Sequence, residues 1–241
     1  MEGLAEQLRT LAERLAVEAG EILLEMDMGR VSAKSTPTDL VTDADRAAEH
    51  HIFSALQQHR PDDVIVAEEG SGQDGASGIR WVVDPLDGTV NYVYGYPHWC
   101  VSIGIEGAVR LGVIHDPNRN ETFSDPGLLT PSTKTDLSDS LIATGFAYSA
   151  EVRARQAAIA AELLPQVRDI RRAGSCALDL AWVAMGRLDG FYEEAVQRWD
   201  TSAGVALVQA AGGCARQHGP LTVAAGNEQL LEKLEAKVVP R

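Results

Sequence analysis

The chain has few of the features that mark a disulfide scaffold, a metal–thiolate site or a membrane protein. Its 241 residues include only three cysteines, Cys100, Cys176 and Cys214, which lie far apart and form no C-x-x-C pair. Neither a disulfide framework nor a zinc or iron–sulfur site is indicated, and a reduced cytoplasm is the expected compartment. No apolar run approaches the roughly 20 residues that span a bilayer, and the N-terminus is acidic and amphipathic. We expect no targeting segment and no membrane partner.

Basic residues are also in short supply. The chain has 21 Lys and Arg against 35 Asp and Glu, which gives a formal net charge of −14. Affinity for a nucleic-acid backbone comes from clustered cations that release counterions, so this balance predicts no nucleic-acid partner. Most of the acids are expected only to keep the surface soluble. The same negative charge would repel a small phosphate ester unless a bound cation neutralised the binding site.

Hydrophobic patterns in the first half of the chain predict both helices and strands. Apolar residues at helical spacing predict one helix over residues 4–26 and a second that opens at Leu40 and runs to about His59. Runs of β-branched and apolar residues predict strands at 64–67 and 81–83, a hairpin of 99–106 and 109–115, and an edge strand at 121–124.

The second half of the chain alternates between strands and helices. The predicted strands are 141–144, 167–171 and 188–192, and the predicted helices are 152–164, 175–185, 201–211 and 227–236. Such alternation indicates an α/β layer structure. The segment 125–138, which contains proline, glycine, serine and threonine, is the expected boundary between an N-terminal α+β half, residues 1–130, and a C-terminal half, residues 131–241.

The most informative stretch is residues 81–92, in which an apolar strand runs into two acids. Asp84 and Asp87 are separated by Pro85, which we expect to stop the strand, and by Leu86. Gly88 would let the backbone approach a ligand closely, and Thr89 adds a hydroxyl. Carboxylates, a main-chain carbonyl and a hydroxyl on one tight turn suit a hard cation such as Mg²⁺.

Two other acidic positions have an ordinary and a functional interpretation. Glu68 follows a predicted strand, so it is either part of a solvated Glu-Gly turn or a ligand beside the Asp84 turn. Thr42 with Asp45 three residues later resembles a capping box, which by itself is the better explanation. The alternative is that Asp45 orients a hydroxyl or a water in a site.

Two helix starts in the second half also have both an ordinary and a functional interpretation. Gly174-Ser175-Cys176 begins a predicted helix, where free amides favour either an anion or an ordinary serine cap. Asp200 is expected to be the N-cap of the helix that begins in Trp-Asp-Thr-Ser-Ala-Gly. A carboxylate at that point can also hold a cation.

Taken in order, these motifs resemble the inositol monophosphatase family of magnesium-dependent, lithium-sensitive phosphatases. The matching elements are Glu68-Glu69, Asp84-Pro85-Leu86-Asp87-Gly88-Thr89, and Trp199-Asp200-Thr201-Ser202-Ala203-Gly204. The loop 34–42 ahead of Asp45 is also similar, and the resemblance covers essentially the whole chain. It implies a layered α-β-α-β-α sandwich of mixed α+β and α/β type, and a homodimer.

The resemblance also implies roles for individual residues. Those implied to bind Mg²⁺ are Glu68, Asp84, the carbonyl of Leu86, Asp87 and Asp200. Those implied to act in catalysis are Glu68, Thr89 and Asp45, which would activate the attacking water. Those implied to face the substrate are Asp87, Gly88, Thr89, Gly174, Ser175, Cys176, Glu193 and Asp200. Cys176 replaces a small residue of the family and bears on substrate identity.

The expected activity is hydrolysis of a small phosphate monoester, with myo-inositol monophosphate as the first choice. Other substrates within the superfamily are histidinol phosphate, fructose 1,6-bisphosphate and a 3′-phosphoadenosine nucleotide. The contrasting hypothesis is a non-catalytic regulatory protein that has kept the fold. Carboxylates at every implied metal position that uses a side chain count against it, because like charges are costly to hold together without a cation.

Overall fold

A computed structural model describes residues 2–26, 29–33, 40–124 and 126–239. The predicted loop at 34–39 and Asp125, the first residue of the predicted linker, lie outside the described residues. The helices and strands of the first half are α1 (Glu2–Glu25), β1 (Val31–Ala33), β2 (Leu40–Thr42), α2 (Asp43–His59), β3 (Val64–Ala67), β4 (Gly72–Gln73), β5 (Ile79–Asp87), α3 (Thr89–Val93), β6 (Cys100–Gly107), β7 (Leu111–Asp116) and β8 (Glu121–Phe123).

Two short 3₁₀ turns, Pro126–Leu128 and Leu137–Asp139, lie on either side of the boundary at residue 130, and a third, Leu164–Gln166, follows the first helix of the second half. The other elements of this half are β9 (Leu141–Thr144), α4 (Ala150–Leu163), β10 (Asp169–Arg171), α5 (Cys176–Ala184), β11 (Gly190–Glu194), α6 (Arg198–Ala210), β12 (Cys214–His218), β13 (Leu221–Ala225) and α7 (Glu228–Val238). In the described part of the chain, no helix is both long enough and apolar enough to cross a bilayer.

Two large sheets and three helix layers make up the fold. The first sheet has the order β4-β3-β5-β6-β7-β8, and the second has the order β10-β9-β11-β13-β12. Helices α1 and α2 cover one face of the first sheet, α5 and α6 lie between the two sheets, and α4 and α7 cover the far face of the second. The predicted α-β-α-β-α sandwich is confirmed.

Close packing of α6 on the first sheet depends on glycine. A Cβ atom on Gly112 of β7 would lie 2.1 Å from the carbonyl oxygen of Ala203, and one on Gly104 of β6 would lie 2.2 Å from Oγ of Ser202. Glycine therefore lets the backbone of the helix lie directly against the strands. This contact brings the first turn of α6 to the sheet that carries Asp84 and Asp87.

Two local predictions are wrong, and some elements were missed. Helix α2 begins at Asp43 rather than Leu40, because residues 40–42 pair with β1 and Thr42 caps the helix. Pro85 does not end its strand: β5 continues to Asp87, which pairs with Cys100 beyond a register shift that accommodates the proline. The short helix α3 and the strands β1, β4, β12 and β13 were not predicted.

Candidate metal centre

The site begins where β5 turns into α3. The amide of Leu86 donates to Oδ1 of Asp84 at 3.0 Å, which holds the turn around the first carboxylate. Gly88 has a φ of 94°, and a Cβ there would lie 3.1 Å from the carbonyl oxygen of His98. A side chain at Gly88 would therefore meet both backbone strain and a close contact within the protein, which explains glycine at this turn.

Asp45 caps its own helix and also reaches the turn. Its Oδ2 accepts from the amide of Thr42 at 3.0 Å, which completes the predicted capping box. Its Oδ1 lies 3.2 Å from the hydroxyl of Thr89, and that hydroxyl is also 3.0 Å from the carbonyl oxygen of Leu86. The capping and site interpretations of Asp45 are therefore compatible, because each uses a different carboxylate oxygen.

Asp87 joins the turn to the start of α5. Its Oδ2 accepts hydrogen bonds from the hydroxyl of Ser175 and, at 2.7 Å, from the amide of Ala177. Ser175 is also the N-cap of α5, with its Oγ 3.3 Å from the amide of Leu178. The predicted serine cap is confirmed, and the free amide at this helix start binds a carboxylate of the protein itself.

Asp200 completes a group of three carboxylates. Ligand oxygens of Asp84, Asp87 and Asp200 all lie within 4.8 Å of one another. The prediction that Asp200 is the N-cap of its helix is wrong. Asp200 is the third residue of α6, and its Oδ2 accepts from the amide of Gln197, the N-cap, at 2.6 Å. An acid at the third position stabilises the helix start as a capping residue does.

The environment of these carboxylates opposes their ionisation. Burial raises the pKa of Asp84 well above its usual value, and the charges of Glu68, Asp87 and Asp200 raise it further. Burial likewise raises the pKa of Asp87 to about 6, although its bonds to Ser175 and Ala177 favour the charged form. A divalent cation would relieve this repulsion, so the donor set fits an oxygen-seeking ion such as Mg²⁺.

A cavity of about 740 Å³ opens over the three carboxylates. Glu68 also lines this cavity, but it does not belong to the group whose oxygens lie within 4.8 Å of one another. Of the residues predicted from the sequence, those that line it are Glu68, Asp84, Leu86, Asp87, Gly88, Thr89, Gly174, Cys176, Glu193 and Asp200. Asp45 and Ser175 are buried beside it and contact lining residues instead.

Glu193 contributes a further acid to the wall. Its carboxylate lies against Gly145, where a Cβ would be 1.9 Å from Oε1. Burial raises the pKa of Glu193 well above its usual value, and the charges of Asp179 and Asp200 add to the effect.

Sequence reasoning missed one residue that holds the two walls together. The side-chain amide of Asn91 donates to the carbonyl oxygens of His98, at 2.6 Å, and Ala173, at 2.9 Å. It ties the Gly88 turn to the segment that leads into α5. The signal was a polar residue just after the Asp84–Thr89 motif, but one of its partners, Ala173, lies in a distant part of the chain. No sequence pattern pointed to Arg172 or Phe146, which also line the cavity.

An acidic site of this kind, where the first sheet of a layered sandwich meets α6, fits a metal-dependent enzyme. Residues 4–236 match the model of the inositol monophosphatase family. The chain belongs to this family.

Curated relatives carry two kinds of name. The chain is 41% identical to the inositol-1-monophosphatase of Mycobacterium leprae over 251 residues, which covers 90% of this chain and 86% of the relative. It is 38% identical to the Nus factor SuhB of Escherichia coli over 220 residues, with 84% and 82% covered.

Solved structures show the same fold. The suhB protein of Bartonella henselae superposes with a TM-score of 0.88 at 34% identity and covers 95% of this chain and 97% of its own. The inositol monophosphatase of Anabaena has a TM-score of 0.83 at 31% identity, with 97% and 95% covered.

Proposed function

We propose that the protein hydrolyses a small phosphate monoester with Mg²⁺, and that myo-inositol monophosphate is its substrate. Membership of the inositol monophosphatase family supports the reaction class. The observation that carries the proposal is the close group of Asp84, Asp87 and Asp200, whose oxygens lie within 4.8 Å of one another at the cavity floor.

The proposed metal ligands are Glu68, Asp84, the carbonyl of Leu86, Asp87 and Asp200. When bound, Mg²⁺ would lower the pKa of a coordinated water and neutralise charge on the phosphate oxygens. The carbonyl of Leu86 accepts one bond from Thr89, and a carbonyl oxygen retains a second lone pair for a cation.

Thr89, Asp45 and Glu68 are the proposed proton-handling groups. The hydroxyl of Thr89 has one proton and two acceptors, the carbonyl of Leu86 and Oδ1 of Asp45. When that proton points to Asp45, Oγ1 of Thr89 could take a proton from the attacking water as its own proton passes to Oδ1 of Asp45. Glu68, in the cavity wall, would help orient the same water.

The proposed substrate contacts divide between phosphate and alcohol. The amides of Gly88 and Thr89 would bind the phosphate. The residues that would face the alcohol are Gly174, Cys176, Glu193 and Asp200, whereas Ser175 is buried and would act on this wall only by holding Asp87. The carboxylate of Glu193 would accept hydrogen bonds from ring hydroxyls. A homodimer remains part of the proposal, and light scattering of the purified chain tests it.

Phosphate release from inositol 1-phosphate, measured with and without Mg²⁺, tests the reaction. We expect metal-dependent turnover, and absence of such turnover on every small monoester would contradict the proposal. A panel with histidinol phosphate, fructose 1,6-bisphosphate and a 3′-phosphoadenosine nucleotide tests the substrate. A preference of tenfold or more for one of these, about 1.4 kcal/mol, would replace inositol phosphate.

A second candidate is a regulatory role, because relatives of similar identity are named Nus factors. A regulatory protein would not need its carboxylates to bind a metal. Thermal unfolding with and without millimolar Mg²⁺ separates the two candidates, since a ligand that binds the folded state raises the melting temperature. No shift together with no turnover would favour the regulatory role.

A further inference from the structure

Glu106 lies near the end of β6 and contacts the first turn of α6, the helix that carries Asp200. Its Oε1 accepts from Nε of Arg198 at 3.1 Å and from Oγ of Ser202 at 2.9 Å. A second guanidinium nitrogen of Arg198 donates to Oε2, and Nη1 of Arg80 lies 3.8 Å from the same oxygen. One carboxylate of the sheet therefore binds two positions of the helix, one turn apart.

These two positions flank Asp200, which is itself fixed to the helix. Oδ2 of Asp200 accepts from the amide of Gln197 at 2.6 Å, so the carboxylate moves with the first turn of α6. Asp84 and Asp87, in contrast, belong to the sheet. The separation between the two sets of oxygens therefore depends on how the first turn of α6 lies on the sheet.

Packing alone leaves this placement incompletely defined. The close approach at Gly104 and Gly112 sets the distance between helix and strands. Contacts of this kind are not directional, whereas a carboxylate that meets a guanidinium fork and a hydroxyl has a defined geometry. Glu106 also places a negative charge at the start of α6, where the helix dipole favours it.

We propose that Glu106 is a positioning residue for the metal site: by binding Arg198 and Ser202 it holds the first turn of α6 so that Asp200 meets Asp84 and Asp87. This inference rests on the proposed metal-binding function. Burial opposes ionisation of Glu106, but the bonds from Arg198 and Ser202 hold its pKa below the usual value, so it is charged at neutral pH.

The test is Glu106→Gln, with Mn²⁺ titrated calorimetrically into metal-free protein. Removing a group that orients a metal ligand weakens affinity, here by roughly tenfold. In turnover assays the Mg²⁺ concentration at half-maximal rate should rise by a similar factor, while kcat at saturating Mg²⁺ stays within about twofold. A purely structural role would not weaken metal binding while leaving kcat at saturating Mg²⁺ nearly unchanged.

Glu121→Gln is the matched control. Glu121 accepts from Nη1 and Nη2 of Arg187 at 2.6 and 2.7 Å, which also joins the first sheet to the second half of the chain. This pair does not touch α6, so its loss should leave Mn²⁺ affinity unchanged. Equal weakening in both variants, or wild-type affinity in Glu106→Gln, would overturn the proposal.

Arg198→Gln provides a second route if Glu106→Gln fails to fold. It removes one helix-side partner at a largely exposed position, and it should also weaken Mn²⁺ binding, by a smaller factor because Ser202 still contacts Glu106. The double variant should weaken binding by less than the two single effects combined, because both substitutions disrupt the contact between Glu106 and Arg198. A wild-type protein that binds no Mn²⁺ would overturn the proposed metal site itself, which is a different result.

Discussion

At the scale of single residues, Asp87 has two separate tasks that a conservative substitution can distinguish. Its Oδ2 accepts bonds from Ser175 and Ala177, which join β5 to α5, and the carboxylate also belongs to the group with Asp84 and Asp200. Asparagine keeps an oxygen that can accept the two structural bonds. It removes the charge that a cation requires.

We therefore expect Asp87→Asn to fold but to lose metal affinity and at least about a hundredfold in activity, the upper range for disturbing a metal's ligand environment. Circular dichroism and Mn²⁺ titration would measure the two effects separately. Asp74→Asn, at an exposed position outside the cavity, is the control. Unfolding of Asp87→Asn would show that the charge itself is structural.

The raised pKa of Asp87 predicts a pH dependence of stability in the metal-free protein. Burial raises this pKa from 3.8 to about 6, so the folded state binds the proton more tightly than the unfolded state does. The destabilising effect of the buried charge is complete above pH 6, decreases as the pH falls through 6, and is absent below 3.8.

With a chelator present, we expect the melting temperature of the wild type to rise between pH 7 and pH 5 relative to that of Asp87→Asn. Differential scanning fluorimetry across this range measures the difference. Parallel profiles for the two proteins would contradict the assignment. Added Mg²⁺ should raise the wild-type melting temperature more at pH 7 than at pH 5, since the ion competes with the proton.

At the scale of elements, the sequence predicted most helices and strands but not the ways in which they meet. The periodicity of α1 and the apolar runs of β3, β6 and β7 were sufficient, because burial of one face imposes a pattern. Strands β12 and β13 were missed although they complete the second sheet. Asp200 was placed at the helix start, but Gln197 is the N-cap, since a capping position depends on backbone geometry.

The packing of α6 on β7 makes a prediction for Gly112. A Cβ on this residue would lie 2.1 Å from the carbonyl oxygen of Ala203, and a backbone atom cannot move aside as a flexible side chain can. We expect Gly112→Ala to destabilise the protein by about 1–3 kcal/mol or more, as overpacked sites do. Urea unfolding monitored by circular dichroism measures this change.

Gly3→Ala is the matched control for that substitution. Gly3 lies in α1, and nothing is within 4 Å of a Cβ at that position. Alanine should therefore leave stability unchanged or raise it by about 0.5–1 kcal/mol through helix propensity. Equal stability of the Gly112 and Gly3 variants would show that the helix can shift on the sheet without cost.

At the scale of the whole molecule, the site could be predicted from the sequence only as a set of separate motifs. Asp84, Asp87 and Gly88 lie on one short stretch, so their chemistry was visible there. Asn91 joins His98 to Ala173, and Glu106 joins β6 to α6. These contacts depend on the packing of the two halves, and no local pattern reports that packing.

The same packing bears on the boundary proposed at residue 130. One buried cluster contains Ile114 and Phe123 from the first sheet together with Leu180 of α5 and Leu207 of α6. The first half by itself would expose this face of its sheet to water. The proposed halves therefore describe the topology, and we do not expect either to be an independent folding unit.

We predict that a fragment of residues 1–130 lacks a cooperative unfolding transition, whereas the 241-residue chain unfolds in one step. The fragment keeps α1 and α2 on one face of its sheet but loses α5 and α6 from the other. Burial of that apolar face drives folding, so its loss removes the main stabilising term. Calorimetry and urea titration of both proteins measure the transitions. A sharp transition in the fragment, with the circular dichroism of a formed sheet, would show that the first half folds alone and that α5 and α6 dock on it afterwards.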